Sequence, residues 1–260
     1  MRIAVVGGGV MGGTLVTAMS GAGHDDIVVI ERSPERRAEL EQQGHETSDD
    51  IAAVAGADVV LLVVKPQDVP AVLTPLGAAI DSGATVVSLA AGVRTATIEA
   101  ALPEDVAVVR AMPNTPAVIG RGMFGVSPGS RVPQDRLDSV VELLATGGAV
   151  VVVDESRQDA VTAVSGSGPA YLFHLAEHMI AAGVEGGLDP ESARTLTVQT
   201  LVGASELLAG SGETPEELRR RVTSPNGTTH AAITTFDEHG VGDGIRAGVL
   251  AAIARSAELG

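Results

Sequence analysis

Ser224, Thr228 and Thr229 lie within one run, SPNGTT, directly ahead of a segment that reads as a helix. Hydroxyl residues at such a place have two uses. One of them can cap the helix by accepting a bond from a backbone N–H. Alternatively, the N–H groups of Gly227, Thr228 and Thr229 stay free and, with the Ser224 hydroxyl, bind an anion such as a carboxylate. A second run, VVGGGVMGG, sets Gly7, Gly9 and Gly12 in the G-x-G-x-x-G register that cradles a dinucleotide pyrophosphate. Gly7 permits the tight turn, Gly9 lets a phosphate approach the backbone, and Gly12 lets the next helix pack on the sheet. Val10 and Met11 open that helix, where unpaired N–H groups and the helix dipole favour a phosphate.

The residue that selects the dinucleotide should end the following strand, in VVIERSPERR. Glu31 stands 19 residues past Gly12, where an acid binds the ribose hydroxyls of NADH. Arg32 and Ser33 follow at once and suit the 2′-phosphate of NADPH. Arg32, Arg36 and Arg37 are near enough in sequence to screen Glu31 from that phosphate. The residues lean to NADPH, with NADH as the alternative. Lys65, the only lysine, sits with Val64 and Pro66 at the end of an apolar run, as a solvated charge or as a cofactor contact.

Other chemistry is narrowed by what the chain contains. There is no cysteine, which removes disulfides, a Cys-zinc site and a thiol nucleophile. HLAEH (174–178) spells an inverted zinc-peptidase pattern, with His174 and His178 on one helix face. A zinc hydrolase needs a third ligand and an open water position. No comparable downstream acid helix is apparent, so no metal is expected, and the two histidines read as exposed or as subunit contacts.

The elements that must position these groups follow from hydrophobic patterning. IAVV (3–6), IVVI (27–30), VVLLVV (59–64), TVVSL (85–89), VAVVRAM (106–112) and AVVVVD (149–154) are near-continuous apolar runs, and helical segments separate them. That is the signature of a parallel sheet covered on both faces, in a doubly wound α/β arrangement. Met112, Pro113 and Asn114 then fall at the carboxyl edge, where ligands bind in such sheets. Arg110 reads as a brace for that turn. After about Asp154 strand signals cease. Helices are predicted over 168–187, over 189–210 with Asp189 as cap and Gly210 as stop, over 214–222, after SPNGTT, and over 241–259. The second is apolar or small on nearly every face (Leu196, Val198, Leu201, Val202, Gly203, Ala204, Leu207, Leu208). A helix of that kind must be buried, and a helical half of this size needs a partner subunit to bury it.

The 260 residues suit a two-domain chain, 1–155 and 156–260. A net charge of −16 argues against nucleic acid as a partner, since its phosphates would be repelled. No run is long enough to span a membrane and no secretory leader precedes the first strand, so a cytoplasmic protein is expected.

Six segments, in order, resemble pyrroline-5-carboxylate reductases over essentially the whole chain. They are GGGVMG, VVKPQDV, SLAAGV (which contains Ala91), VRAMPNTPAVIGRG, DAVTAVSGSGPAYLF and VTSPNGTT. β-Hydroxyacid dehydrogenases share the layout, but their resemblance would imply a lysine in the helical half, and none follows Lys65. The resemblance implies a Rossmann-like domain followed by an all-α dimerisation domain. It implies a small-molecule substrate, the cyclic imine 1-pyrroline-5-carboxylate, reduced to L-proline by NADPH or NADH. Thr229 would hydrogen-bond the ring nitrogen, and Ser167 and Gly168 would line the substrate pocket with Ser224, Gly227 and Thr228. It also implies a homodimer, often assembled further into a decamer as a pentamer of dimers. Asn226 stands where many relatives have glycine, and Asp50 where some have Asn near the adenosine ribose. The alternatives are a reductase of a related cyclic imine and a non-catalytic NAD(P)-binding protein.

Overall fold

The computed structural model describes residues 1–259. Strands and helices alternate through β1 (Ile3–Val6), α1 (Val10–Gly21), β2 (Ile27–Ile30), α2 (Pro34–Gln42), β3 (Glu46–Ser48) and β4 (Val59–Leu62). They continue through α3 (Val69–Ala79), β5 (Thr85–Ser88), α4 (Thr95–Glu99), β6 (Ala107–Met112), β7 (Gly122–Pro128), α5 (Gln134–Ala145) and β8 (Gly148–Val152). Helices follow: α6 (Gln158–Val161), α7 (Gly168–Glu185), α8 (Pro190–Ser211), α9 (Pro215–Arg221), α10 (Thr228–Glu238) and α11 (Val241–Leu259).

The strands form one sheet in the order β3-β2-β1-β4-β5-β6-β7-β8. Its core is parallel, as the apolar runs imply, because both faces are buried. Ile3, Val5, Val29, Leu61, Val87 and Val109 belong to one cluster, with Leu15, Val16 and Met19 of α1 and Leu143 and Leu144 of α5. Ala4, Val6, Val28, Val60, Leu62, Val86 and Val108 belong to the other, with Leu73 and Leu76 of α3 and Ile98 of α4.

Two strands escape the sequence reading. β3 is an edge strand of Glu, Thr and Ser, paired only with β2, and carries no apolar signal. β7 contains two glycines and a proline, which read as breakers, yet Phe124 and Val126 are fully buried. β7 runs antiparallel to β6 and β8 parallel to β7, so the sheet is mixed at that end.

The chain divides into two compact units, one of Met1–Ser167 together with the segment from Ala252 onward, the other Gly168–Ala251. Residues 156–167 therefore fold with the sheet, beyond the boundary at 155 that composition suggests. Gln158 is a reason for this: fully buried, it donates from Nε2 to the Gly125 carbonyl at 3.0 Å and to Ser127 Oγ at 2.8 Å on β7.

Within the second unit, α7 and α8 pack on each other. Asp189 caps α8, accepting from the Ser192 N–H at 3.0 Å. Gly212, not Gly210, ends it, because the left-handed turn (φ +68°) comes two residues later. Phe173, Leu196, Val202, Leu207 and Leu208 remain exposed, Phe173 and Leu207 at 68% and 58%. Large apolar side chains left open on successive helices mark an interface. Leu207→Asp is accordingly expected to shift the molar mass seen by light scattering from an oligomer toward a single chain. An unchanged mass would count against burial of α8 by a partner.

Candidate active site

The glycine loop joins β1 to α1. Gly7 takes φ +109°, and a Cβ there would lie 2.6 Å from the Val63 carbonyl oxygen on the loop after β4. A Cβ on Gly12 would lie 1.9 Å from the Gly7 carbonyl oxygen. These contacts explain two of the three glycines by packing alone. Gly9 differs: a Cβ there would meet no atom within 4 Å. No side chain caps α1, and Val10, its first residue, is 79% exposed. The first-turn N–H groups of Val10, Met11 and Gly12 have no partner within the helix by position. An open glycine beside an uncapped helix start fits a pyrophosphate.

Glu31 helps to shape this loop. One carboxylate oxygen accepts from the Gly8 N–H at 2.8 Å and the other from the Ser33 N–H at 2.9 Å. Arg36 donates from Nε to the Gly8 carbonyl at 2.6 Å and pairs with Glu39. Arg37 donates to the carbonyls of Glu31 and Arg32 and pairs with Asp49 at 3.3 Å. Neither arginine pairs with the Glu31 carboxylate, contrary to the screening role their spacing suggests, because each is committed to backbone carbonyls and to another carboxylate. Arg32 is exposed and its guanidinium has no partner among the described residues. Ser33 caps α2, accepting from the Arg36 N–H, and donates to Glu35 at 2.6 Å. Asp50 caps a short 3₁₀ turn through the Ala52 N–H.

Lys65 and Pro66 follow β4, both exposed, and Ala91 is exposed after β5. Met112, Pro113 and Asn114 are half-buried at the end of β6. The Asn114 side chain is committed at both ends. Its Oδ1 accepts from the Met123 N–H at 2.8 Å, and its Nδ2 donates to the Ser165 carbonyl at 3.2 Å. Residues 162–166 form a single π turn, and a Cβ on Gly166 would approach Met112 Cε at 2.8 Å. The β6 edge and the SGSG segment are thus one packed assembly, closed by a bond from the Ser167 N–H to the Thr162 carbonyl at 2.8 Å. Gly8, Arg36 and Ser165 were missed as parts of this edge. Only the glycine at position 8 carried any signal for it.

Arg110 does not brace the turn. It lies two residues down the strand from Met112, and its guanidinium, 6% exposed, faces Glu155 at 3.6 Å beneath the edge.

In the second unit, Ser224 to Thr229 form the entry to α10. Asn226 has φ +60°, the one positive value outside glycine among the described residues. Asparagine tolerates this region, so the turn survives without a second glycine. Gly227 is the N-cap and no side chain caps the helix. A Cβ on Gly227 would sit 2.5 Å from Ser224 Oγ, so only glycine leaves that hydroxyl in place. The hydroxyls of Ser224, Thr228 and Thr229 have no hydrogen-bond partner among the described residues, so none of them caps the helix. The Gly227 N–H is not free as its place suggests: the turn bends it back onto the Ser224 carbonyl, to which it donates at 3.0 Å. His174 and His178 meet edge to face, ring centroids 4.5 Å apart. No group of three metal-ligating side chains occurs among the described residues.

Comparison with known proteins supplies a family. A model described as "pyrroline-5-carboxylate reductase dimerisation" matches residues 155–259, and one described as "NADP oxidoreductase coenzyme F420-dependent" matches 2–92. A pyrroline-5-carboxylate reductase of Corynebacterium melassecola is 42% identical, covering 99% of this chain and 98% of its own. The structure of a pyrroline-5-carboxylate reductase from Coxiella burnetii superposes with a TM-score of 0.94 at 33% identity, covering 99% and 98%. A pyrroline carboxylate reductase of Plasmodium falciparum, solved with NADP bound, has the same fold, with a TM-score of 0.89 at 24% identity, covering 100% and 98%.

The two loop glycines should separate on mutation. Gly12→Ala forces a Cβ into the Gly7 carbonyl and is expected to destabilise by roughly 1–3 kcal/mol. Gly9→Ala enters open space and should stay within about 1 kcal/mol of wild type. Scanning calorimetry of the two variants checks this, and equal losses would contradict the loop geometry.

Proposed function

The chain belongs to the pyrroline-5-carboxylate reductase family, and we propose that it reduces 1-pyrroline-5-carboxylate to L-proline with NADPH as the hydride donor. The observation that carries this reading for the substrate is the entry to α10. An uncapped helix start next to three unpaired hydroxyls is a donor array without an internal acceptor. The substrate's carboxylate is that acceptor. It takes the N–H groups of Thr228 and Thr229 and the Ser224 hydroxyl, since the Gly227 N–H is already bonded to the Ser224 carbonyl at 3.0 Å. Thr229 Oγ1 holds the ring nitrogen, and Gly168 lines the pocket.

When bound, the reduced nicotinamide supplies the hydride that adds to the C=N carbon. The chain's own task is to bind and orient. Carbon gains the hydride, the C=N π pair moves onto nitrogen, which keeps its proton, and no σ bond of the ring breaks. A protonated imine is already electrophilic, so positioning supplies much of the rate. That is consistent with a site that offers hydroxyls and N–H groups and no acid–base pair.

Gly7, Gly9, Val10, Met11 and Gly12 hold the pyrophosphate, with Val64, Lys65, Pro66, Ala91, Met112, Pro113 and Asn114 along the sheet edge. Arg32 and Ser33 meet the 2′-phosphate, because Arg32 is the arginine of this turn left without a partner. Glu31 is occupied by two N–H groups, which spreads its charge away from that phosphate. Asp50 lies near the adenosine ribose.

The family's dimerisation region, over 155–259, makes the protein a homodimer. We place it in the cytoplasm; no helix among the described residues is long and apolar enough to cross a membrane. Assembly of five dimers into a decamer is the larger state we propose, and a light-scattering mass of two chains at all concentrations would argue against it.

Two variants test the site through loss of absorbance at 340 nm with pyrroline-5-carboxylate. Thr229→Val removes a hydrogen bond to a charged group, worth roughly 1.5–3 kcal/mol, so kcat/KM should fall about 10- to 100-fold. Arg32→Ala should lower kcat/KM for NADPH by about tenfold or more and leave NADH nearly unchanged. Normal turnover by Thr229→Val would remove that residue from the chemistry. Equal losses with both cofactors would remove Arg32 from their discrimination.

A further inference from the structure

Beneath the carboxyl edge of the sheet lies a cavity of about 330 Å³, lined by Arg94, Arg110, Glu155, Ser156 and Asp159. This is at the lower end of the range for small-ligand pockets, roughly 300–1,000 Å³. It is distinct from the glycine loop. Arg110 alternates with Val109 and Ala111, which face the cluster containing α1, so its side chain lies on the opposite face of the sheet.

The hydrogen bonding of this cavity is unbalanced. The Arg110 guanidinium is 6% exposed, and the nearest carboxylate oxygen, of Glu155, is 3.6 Å away. That is too long for a hydrogen bond. Glu155 is already engaged elsewhere, accepting from the Thr95 N–H and the Thr95 hydroxyl, each at 2.7 Å. Arg94 has no acceptor among the described residues. Asp159 accepts from the Ser256 hydroxyl at 2.7 Å through Oδ1, and its Oδ2 receives no donor. The Arg110 guanidinium is thus ion-paired with Glu155 without a close hydrogen bond, and an acceptor placed in the cavity would complete its bonding.

The lining therefore offers guanidinium donors without acceptors and a carboxylate oxygen without a donor. Two guanidinium and two carboxylate groups cancel in formal charge. A simple anion would leave an excess negative charge in the cavity, and a simple cation an excess positive one. A molecule carrying both charges satisfies both sets and keeps the cavity neutral. We propose that this cavity binds a free α-amino acid as its zwitterion, with the carboxylate on Arg110 and Arg94 and the ammonium on Asp159 Oδ2.

The test is thermal unfolding of the full-length protein with glycine or L-alanine at millimolar concentration. Sodium acetate and methylammonium chloride at matched ionic strength are the single-charge controls. The amino acids should raise the melting temperature by about 2–4 °C, and the controls should not. Arg94→Ala, at an exposed position, and Asp159→Asn, which keeps an oxygen for Ser256, should each abolish the rise. Thr229→Val should retain it, which separates this cavity from the reducing site whether or not the proposed reaction is correct. The proposal is overturned by no rise with either amino acid, by an equal rise with acetate or methylammonium, by a rise that survives Arg94→Ala or Asp159→Asn, or by one that Thr229→Val removes.

Discussion

The closest constraint in the first unit is the approach of the Gly12 Cα to the Gly7 carbonyl, where there is no room for a single methyl group. It brings the start of α1 down onto the end of β1. The helix's free N–H groups are thereby presented at the carboxyl edge instead of above it. Once α1 is fixed there, Leu15, Val16 and Met19 meet the sheet residues Ile3, Val5 and Val29. The same loop is tied from the other side, where Glu31 and Arg36 grip the N–H and the carbonyl of Gly8. The turn is thus held by backbone contacts that hardly depend on what it binds. Such a cradle is preorganised, and ligand binding need not supply the cost of ordering it.

The two units solve burial differently. The sheet encloses its own core, with both faces covered within one unit. The helices of the second unit do not. α8 keeps Leu196, Val202, Leu207 and Leu208 in the open, and α7 keeps Leu172 and Phe173. Exposure of this kind in one chain is an incomplete core, completed by a second copy in a dimer. The fold of the helical half and the assembly of the protein are therefore one problem.

The parallel part of the sheet was legible because strands buried on both faces must be apolar at every position, as IAVV and IVVI are. β3 was not legible, since an edge strand of Glu, Thr and Ser has no apolar requirement to satisfy. β7 was hidden by its glycines, which are there because close neighbours demand them. A Cβ on Gly125 would lie 2.3 Å from Val161, and one on Gly122 would lie 2.8 Å from the Ala117 side chain. The same limit applies to the site. The glycine register, the carboxyl-edge residues and SPNGTT could be found from residue type and spacing. The partners of Glu31, Arg36 and Arg110 could not, because each is chosen by strand register or by competition among nearby carbonyls. Arg110 illustrates this: beside Met112 in sequence it reads as part of the turn, but strand alternation and length carry its guanidinium to Glu155.

The composition of the site also limits its chemistry. The chain holds one lysine, at the exposed end of β4, and no cysteine. A mechanism that needs an amine or thiol nucleophile in the helical half has nothing to use. Hydride addition to a protonated imine needs neither, because substrate nitrogen already bears the proton and the nicotinamide bears the electrons. What such a reaction demands is geometry: a carboxylate anchored at several points and one hydroxyl at the nitrogen. The α10 entry supplies hydroxyls and N–H groups and little else. Gly227 is required there by the Ser224 hydroxyl, and the left-handed Asn226 turns the chain so that the helix can start without a side-chain cap. The N-cap position itself is Gly227, where a serine or threonine would stabilise the helix by only about a few tenths of a kcal/mol. Leaving the neighbouring hydroxyls uncommitted to the helix therefore costs little and keeps them free for a ligand.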